Sequence, residues 1–186
     1  MLTGLSFNLE SIDVQQREKA ERKIENLKQL TGEIIKGVRT ATFNLMPPEL
    51  SDYGIVPALS KLSRELAKLT GKKIILYDKT GFNQRLDSLT EINIYRITQE
   101  AINNAIKYAE STHIIITVSH SETILSVIID DNGKGFEPQN NAGSKTSGGM
   151  GMTFMKERIK YIQGRLFVTS EIGKGTKITL NIPLSK

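Results

Sequence analysis

A run of β-forming residues, Ile124-Leu125-Ser126-Val127-Ile128-Ile129, ends on two carboxylates and passes at once into Asp131-x-Gly133-x-Gly135 within the segment DDNGKGF. That order requires a strand to stop and the chain to turn tightly. Glycine permits positive φ and has no Cβ, so the backbone can bend sharply and approach a flat ligand closely. A carboxylate only accepts hydrogen bonds, which suits an exocyclic amine such as that of adenine. After a gap rich in Asn, Gly, Ser and Lys, Gly149 and Gly151 open a helix, and a helix N-terminus with small residues is a natural phosphate cradle. No G-x-x-x-x-G-K-[ST] occurs, and Gly149-x-Gly151 lacks the third glycine of a dinucleotide fingerprint. Both of those nucleotide-binding modes are excluded.

Upstream, Ser88-Leu89-Thr90-Glu91 matches a capping box and predicts a long helix from 88 to about 109. Glu100, Asn104, Lys107 and Tyr108 share one face of it by helical spacing, with Ile94, Ile97, Ala101, Ile102 and Ala105 as the apolar side. Asn104 offers a neutral oxygen to a hard cation such as Mg²⁺. Glu100, one turn earlier, could accept a proton, and Lys107 supplies a mobile positive charge for phosphate. The bland reading of the same face is solvated polar surface.

With 186 residues and no cysteine, the chain has room for one domain with a helical extension and carries neither disulfide nor thiolate metal site. Its net charge of +5 is spread among interspersed signs, which predicts solvated surface and no nucleic-acid partner. No apolar run reaches membrane-spanning length, so no membrane contact is expected within these residues. A cytoplasmic location is expected, with an anchor elsewhere in a longer parent left open.

From the N-terminus, Leu2, Leu5, Leu9 and Ile12 form one apolar stripe, and 13–18 is polar enough for a reversal. A second stripe, Ile24, Leu27, Thr31, Ile34, Val38, Ala41 and Leu45, is a heptad seam with one polar interruption, stopped by Pro47-Pro48. An αα-hairpin that pairs with a second copy is expected, so that replacing Ile34 and Val38 by Asp would yield monomers. Then follow a turn at 50–54, a helix at 55–69 closed by Gly71, a strand at 73–77 and a loop at 82–87. After the long helix come a hairpin of strands at 112–119 and 123–130, a helix at 152–163, and a second hairpin at 165–170 and 176–183. This order predicts an α+β sandwich with helices on one face of a mixed sheet.

The segments QEAINNAIKYA, DDNGKGF, GGMGMTFMKERI and GKGTKITLNIP together resemble the N, G1, G2 and terminal boxes of the ATP-binding domain of sensor histidine kinases. LMPPELSDYGIVPALSKL resembles the joining segment of the nitrate-sensor-like subfamily, which has Glu at the position of Glu100. The resemblance covers almost the whole chain. It implies a two-layer α/β sandwich of the histidine-kinase ATPase (Bergerat) type in 49–186, behind dimerisation helices in 1–48 that build a dimeric four-helix bundle.

By the same resemblance Asn104 is implied to hold Mg²⁺, Asp131 the adenine amine, and Gly133 and Gly135 the base of ATP. Gly149 and Gly151 would serve as lid hinge and phosphate contact around a lid at 137–148. Thr176 would touch the adenine side, and Glu100 would be the base that activates a phosphoacceptor histidine. Tyr108 departs from the subfamily's usual His. The phosphoacceptor belongs to an H-D-x-x-G-Q-like box just before LTGLSFNLESI, and this chain starts at Met1-Leu2-Thr3, so it is expected to lack the box and to be unable to phosphorylate itself. Its two histidines, His113 and His120, read as surface or cap residues. The implied partners are a second copy and a response-regulator receiver domain. The rival expectation is a nucleotide-binding dimeric interaction module without kinase activity.

Overall fold

The computed structural model describes residues 17–42, 47–137 and 150–184, with side chains of the first helix described at 19–32. The chain divides into two compact units, residues 1–46 and 47–186. In the first, helix α1 runs Arg17–Thr42. Arg17 and Glu18, expected in the polar reversal, are helical. Ile24 is 43% exposed, Leu27 is buried, and the polar interruption of the seam, Thr31, donates its hydroxyl to Leu27 O at 2.7 Å. Ile34, Val38 and Ala41 lie on α1 with side chains outside the described residues; Leu2, Leu5, Leu9, Ile12 and Leu45 lie outside them altogether.

The second unit begins with a correction. The expected turn at 50–54 is helix α2, Pro48–Tyr53. Pro48 starts that helix, because its missing N–H is an orphan at the first position anyway and its φ is already helical. Glu49 in the first turn suits the positive end of the helix. Gly54, at φ 82°, ends α2, and helix α3 follows at Ile55–Thr70, burying Ile55, Ala58, Leu59 and Leu62 and closed by Gly71 in the left-handed conformation as expected.

Strand β1 (Lys73–Asp78), helix α4 (Ser88–Lys107), strands β2 (His113–His120) and β3 (Ile124–Asp131), helix α5 (Met150–Tyr161) and strands β4 (Arg165–Glu171) and β5 (Gly175–Pro183) complete the order. The five-stranded sheet runs β1-β2-β3-β5-β4, with β1 and β2 parallel and the other neighbours antiparallel. Alternate residues fill the core: Ile114, Ile116 and Val118 from β2, Leu125, Val127 and Ile129 from β3, Ile178, Leu180 and Ile182 from β5. Against that face pack Ile94, Ile97, Ile102 and Ala105 of α4 and Met155 and Ile159 of α5. The α+β sandwich and its mixed sheet are as expected.

The start of α4 differs by one residue from the capping-box reading. Asp87, not Ser88, is the N-cap, and its carboxylate accepts from Thr90 N at 2.9 Å. Glu91, freed from that duty, is fully buried. Arg85 reaches it through Nε to Oε1 and Nη2 to Oε2, both at 3.0 Å, and Leu86 N donates to Oε1 at 3.2 Å. Nη2 also donates to Leu50 O at 3.3 Å, so a single guanidinium ties α2, the β1–α4 loop and α4 together.

Candidate functional site

The floor of the site is a polar row across three strands. Asp131 on β3 pairs with Thr176 on β5, which pairs with Ser170 on β4. Asp131 and Thr176 are each 8% exposed. Asp131 Oδ1 accepts from Gly133 N at 2.8 Å, which curls the chain after β3 back over the carboxylate. Burial pushes the Asp131 carboxyl above the ordinary aspartate range, against the opposing pull of the Gly133 and Thr176 N–H groups. The sign follows: this group favours the unliganded fold most when protonated, and that contribution is lost as pH rises through its raised pKa. A carboxylate kept where it weakens the fold at neutral pH is a candidate for ligand work.

Ser170 was not among the expected site residues. Its Oγ accepts from Phe136 N at 2.9 Å, lies 3.0 Å from Thr176 Oγ1, and donates to Gly175 O at 3.1 Å. It therefore holds the far end of the DNGKGF loop against the β4–β5 hairpin. The signal was available, because closing the hairpin around Gly173-Lys174-Gly175 places Ser170 opposite Thr176.

The loop glycines have a reason inside the protein. A Cβ at Gly133 would stand 2.3 Å from Ala109 O, and one at Gly135, where φ is 62°, 2.0 Å from Glu171 O. Gly175, at φ 92°, would clash with Asp131 O. Backbone meets backbone at each point, so any side chain would open the loop. Lys134 N, donating to Ala109 O at 2.7 Å, fastens it to the end of α4.

Helix α4 forms the wall. Glu100 and Asn104 are half-buried, above buried Ala101 and Ala105. The helix ends at Lys107, two residues earlier than expected, so Tyr108 is its C-cap and is 66% exposed. Gly151, in the first turn of α5, lies against the Glu100 carboxylate. The wall thus touches the loop at Ala109 and α5 at Glu100, with Asn104 and Lys107 between. Gly149 and the lid from 138 onward lie outside the described residues. Among the described residues no three carboxylates or histidines gather as a metal site, so a cation here would draw most of its ligands from phosphate and water. His113 opens β2, where its N donates to Asn132 Oδ1 at 2.9 Å and its Nδ1 meets Thr112 Oγ1 at 2.8 Å; His120 ends that strand, with its Nδ1 2.7 Å from Thr80 Oγ1 beside the Phe82 ring.

Residues 90–186, just over half of the chain, match the model of the histidine kinase-, DNA gyrase B- and HSP90-like ATPase family. The chain belongs to this ATPase family. Similar proteins include two named signal transduction histidine-protein kinase/phosphatase DegS. One, from Bacillus subtilis (strain 168), is 34% identical over 166 residues, covering 88% of this chain and 43% of the relative. The other, from Brevibacillus brevis, is 29% identical over 168 residues, covering 90% and 42%. The chain therefore spans less than half the length of these curated relatives. Among solved structures, the histidine kinase domain of the Erythrobacter litoralis EL346 blue-light activated histidine kinase superposes with a TM-score of 0.60 at 19% identity, covering 98% of this chain and 96% of that one. Full-length ShkA in complex with AMPPNP gives 0.62 at 18%, covering 95% and 40%. At those identities the likeness is one of fold. That fold is the two-layer sandwich that the four boxes implied.

Proposed function

We propose that this ATPase-family chain is the ATP-binding kinase core of a two-component sensor histidine kinase, of the nitrate-sensor-like subfamily. The observation that carries the reading is the row Asp131–Thr176–Ser170, an acceptor-only carboxylate buried at the sheet end beside the polar face of α4. Asp131 accepts the adenine amine, Thr176 touches the base, and the loop at Gly133 and Gly135 lies along it. Lys107 and Tyr108, at the exposed end of α4, face the phosphates, which Gly149 and Gly151 also contact. Asn104 would hold Mg²⁺, which neutralises charge on the phosphates when bound.

In the reaction, a histidine nitrogen attacks the γ-phosphorus, the bond to the bridging oxygen breaks, and ADP leaves with that electron pair. Glu100 accepts the imidazole proton. The phosphoryl group then passes to an aspartate of a receiver domain. Residues 1–48 supply the dimerisation helices and 49–186 the catalytic domain, in a cytoplasmic location; among the described residues no helix is long and apolar enough to cross a membrane.

The test compares residues 1–186 with the full-length protein, using γ-labelled ATP beside a binding titration. Residues 1–186 should bind MgATP and take no label, since His113 lies on the sheet face opposite that of its neighbour Ile114, the register partner of Asp131, and His120 at the far end of β2. The full-length protein should take an acid-labile label. Acid-labile labelling of residues 1–186 would contradict the reading. Binding without labelling in the full-length protein would favour a nucleotide-binding interaction module instead.

A further inference from the structure

We propose that Gly151 is a positioning residue: its missing side chain is the seat of the Glu100 carboxylate. This rests on the reading of Glu100 as the base. A Cβ at 151 would stand 2.2 Å from Glu100 Oε1, 3.1 Å from its Cδ and 3.5 Å from its Cγ. The crowding here differs in kind from that at Gly133, Gly135 and Gly175, where backbone atoms stand in the way. At 151 the three nearest atoms all belong to one flexible side chain.

Two other reasons for a glycine fail. Gly151 is helical and is absent from the residues with positive φ, so its backbone needs no special freedom. Alanine is the better helix former, so the helix does not favour glycine either. Beside the phosphate contact proposed for it, what remains is the space the carboxylate occupies.

The two helices cannot drift apart to admit a methyl group. Seven residues further along α5, Arg158 Nη1 donates to Asn93 Oδ1 at 2.8 Å, and Asn93 lies seven residues back along α4 from Glu100. Met155 and Ile159, between and beyond, are buried. The antiparallel register of α4 and α5 is therefore fixed two turns from the contact. An alanine at 151 would be accommodated by swinging the Glu100 carboxylate away, with the fold intact and the base misplaced.

In the full-length protein, Gly151→Ala should keep its melting temperature while labelling at saturating ATP slows by about 10²-fold, the effect of misplacing a reacting group by an ångström. Shortening the partner should restore the seat: Gly151→Ala/Glu100→Asp should label faster than Gly151→Ala alone. Two results would overturn the proposal: unchanged labelling in Gly151→Ala, or a double variant no faster than the single. Glu100→Gln, run beside them, isolates the underlying reading. If it labels at the wild-type rate, the base assignment fails and the seat with it; if it is slow while Gly151→Ala is not, the seat alone fails.

Discussion

Glu100→Gln in the full-length protein should leave MgADP affinity intact and slow histidine labelling by roughly 10²–10⁴-fold, the usual contribution of a positioned proton acceptor. The substitution keeps the shape and the half-buried place of the side chain on α4, against the first turn of α5. It removes only the ability to take a proton. Because Asn104, one turn on, is the proposed Mg²⁺ ligand, nucleotide binding should not report the change. A single-turnover labelling time course beside a titration separates the two quantities. Labelling at the wild-type rate would leave Glu100 as a neighbour of the site with no part in proton transfer.

The second large effect concerns the fold. Arg85→Ala should destabilise the catalytic unit by about 3 kcal/mol, the low end for removing one partner of a buried ion pair. The low end applies because the Arg85 side chain is 49% exposed while that of Glu91 is 0% exposed. Without Arg85, Glu91 keeps only the Leu86 N–H of the contacts described above, inside the packed junction of α2, the loop and α4. Arg85→Met/Glu91→Leu should recover most of the loss, since replacing both ions avoids a stranded charge. Denaturant unfolding of the single and double variants measures it. A loss below about 1 kcal/mol for Arg85→Ala would class the pair with ordinary surface ion pairs.

That junction also shows where the sequence could be read and where it could not. The β-forming runs at 112–119, 123–130 and 176–183 predicted the strands, and the stripe from Ile94 to Ala105 predicted the buried face of α4, because each signal is local. Helix α2 escaped because Pro47-Pro48 reads as a stop, whereas Pro48 occupies the first helical position. The cap slipped by one because Asp87 is also a good acceptor, and Glu91 found Arg85 in the loop before it. At the site, Asp131, Gly133 and Gly135 stood out by residue type and spacing. Their glycines proved to be required by Ala109 O and Glu171 O, carbonyls that no local pattern points to. Gly151 against Glu100 joins residues of two separate helices, so only the packing of α4 on α5 reveals it.

The most direct measurement is a calorimetric titration of residues 1–186 with MgADP and MgGDP over a range of pH. Asp131 accepts from an amine, whereas guanine presents a carbonyl at the equivalent place and would set two acceptors face to face. Leaving such a buried group unpaired costs about 1–3 kcal/mol, so GDP should bind roughly 10–10²-fold more weakly at neutral pH. Acid should abolish the difference by protonating Asp131. Because burial raises that carboxyl, the decline should begin at a higher pH than for an ordinary aspartate, whose pKa is about 3.9. Equal affinity for ADP and GDP at neutral pH would contradict the assignment of Asp131 as the adenine acceptor.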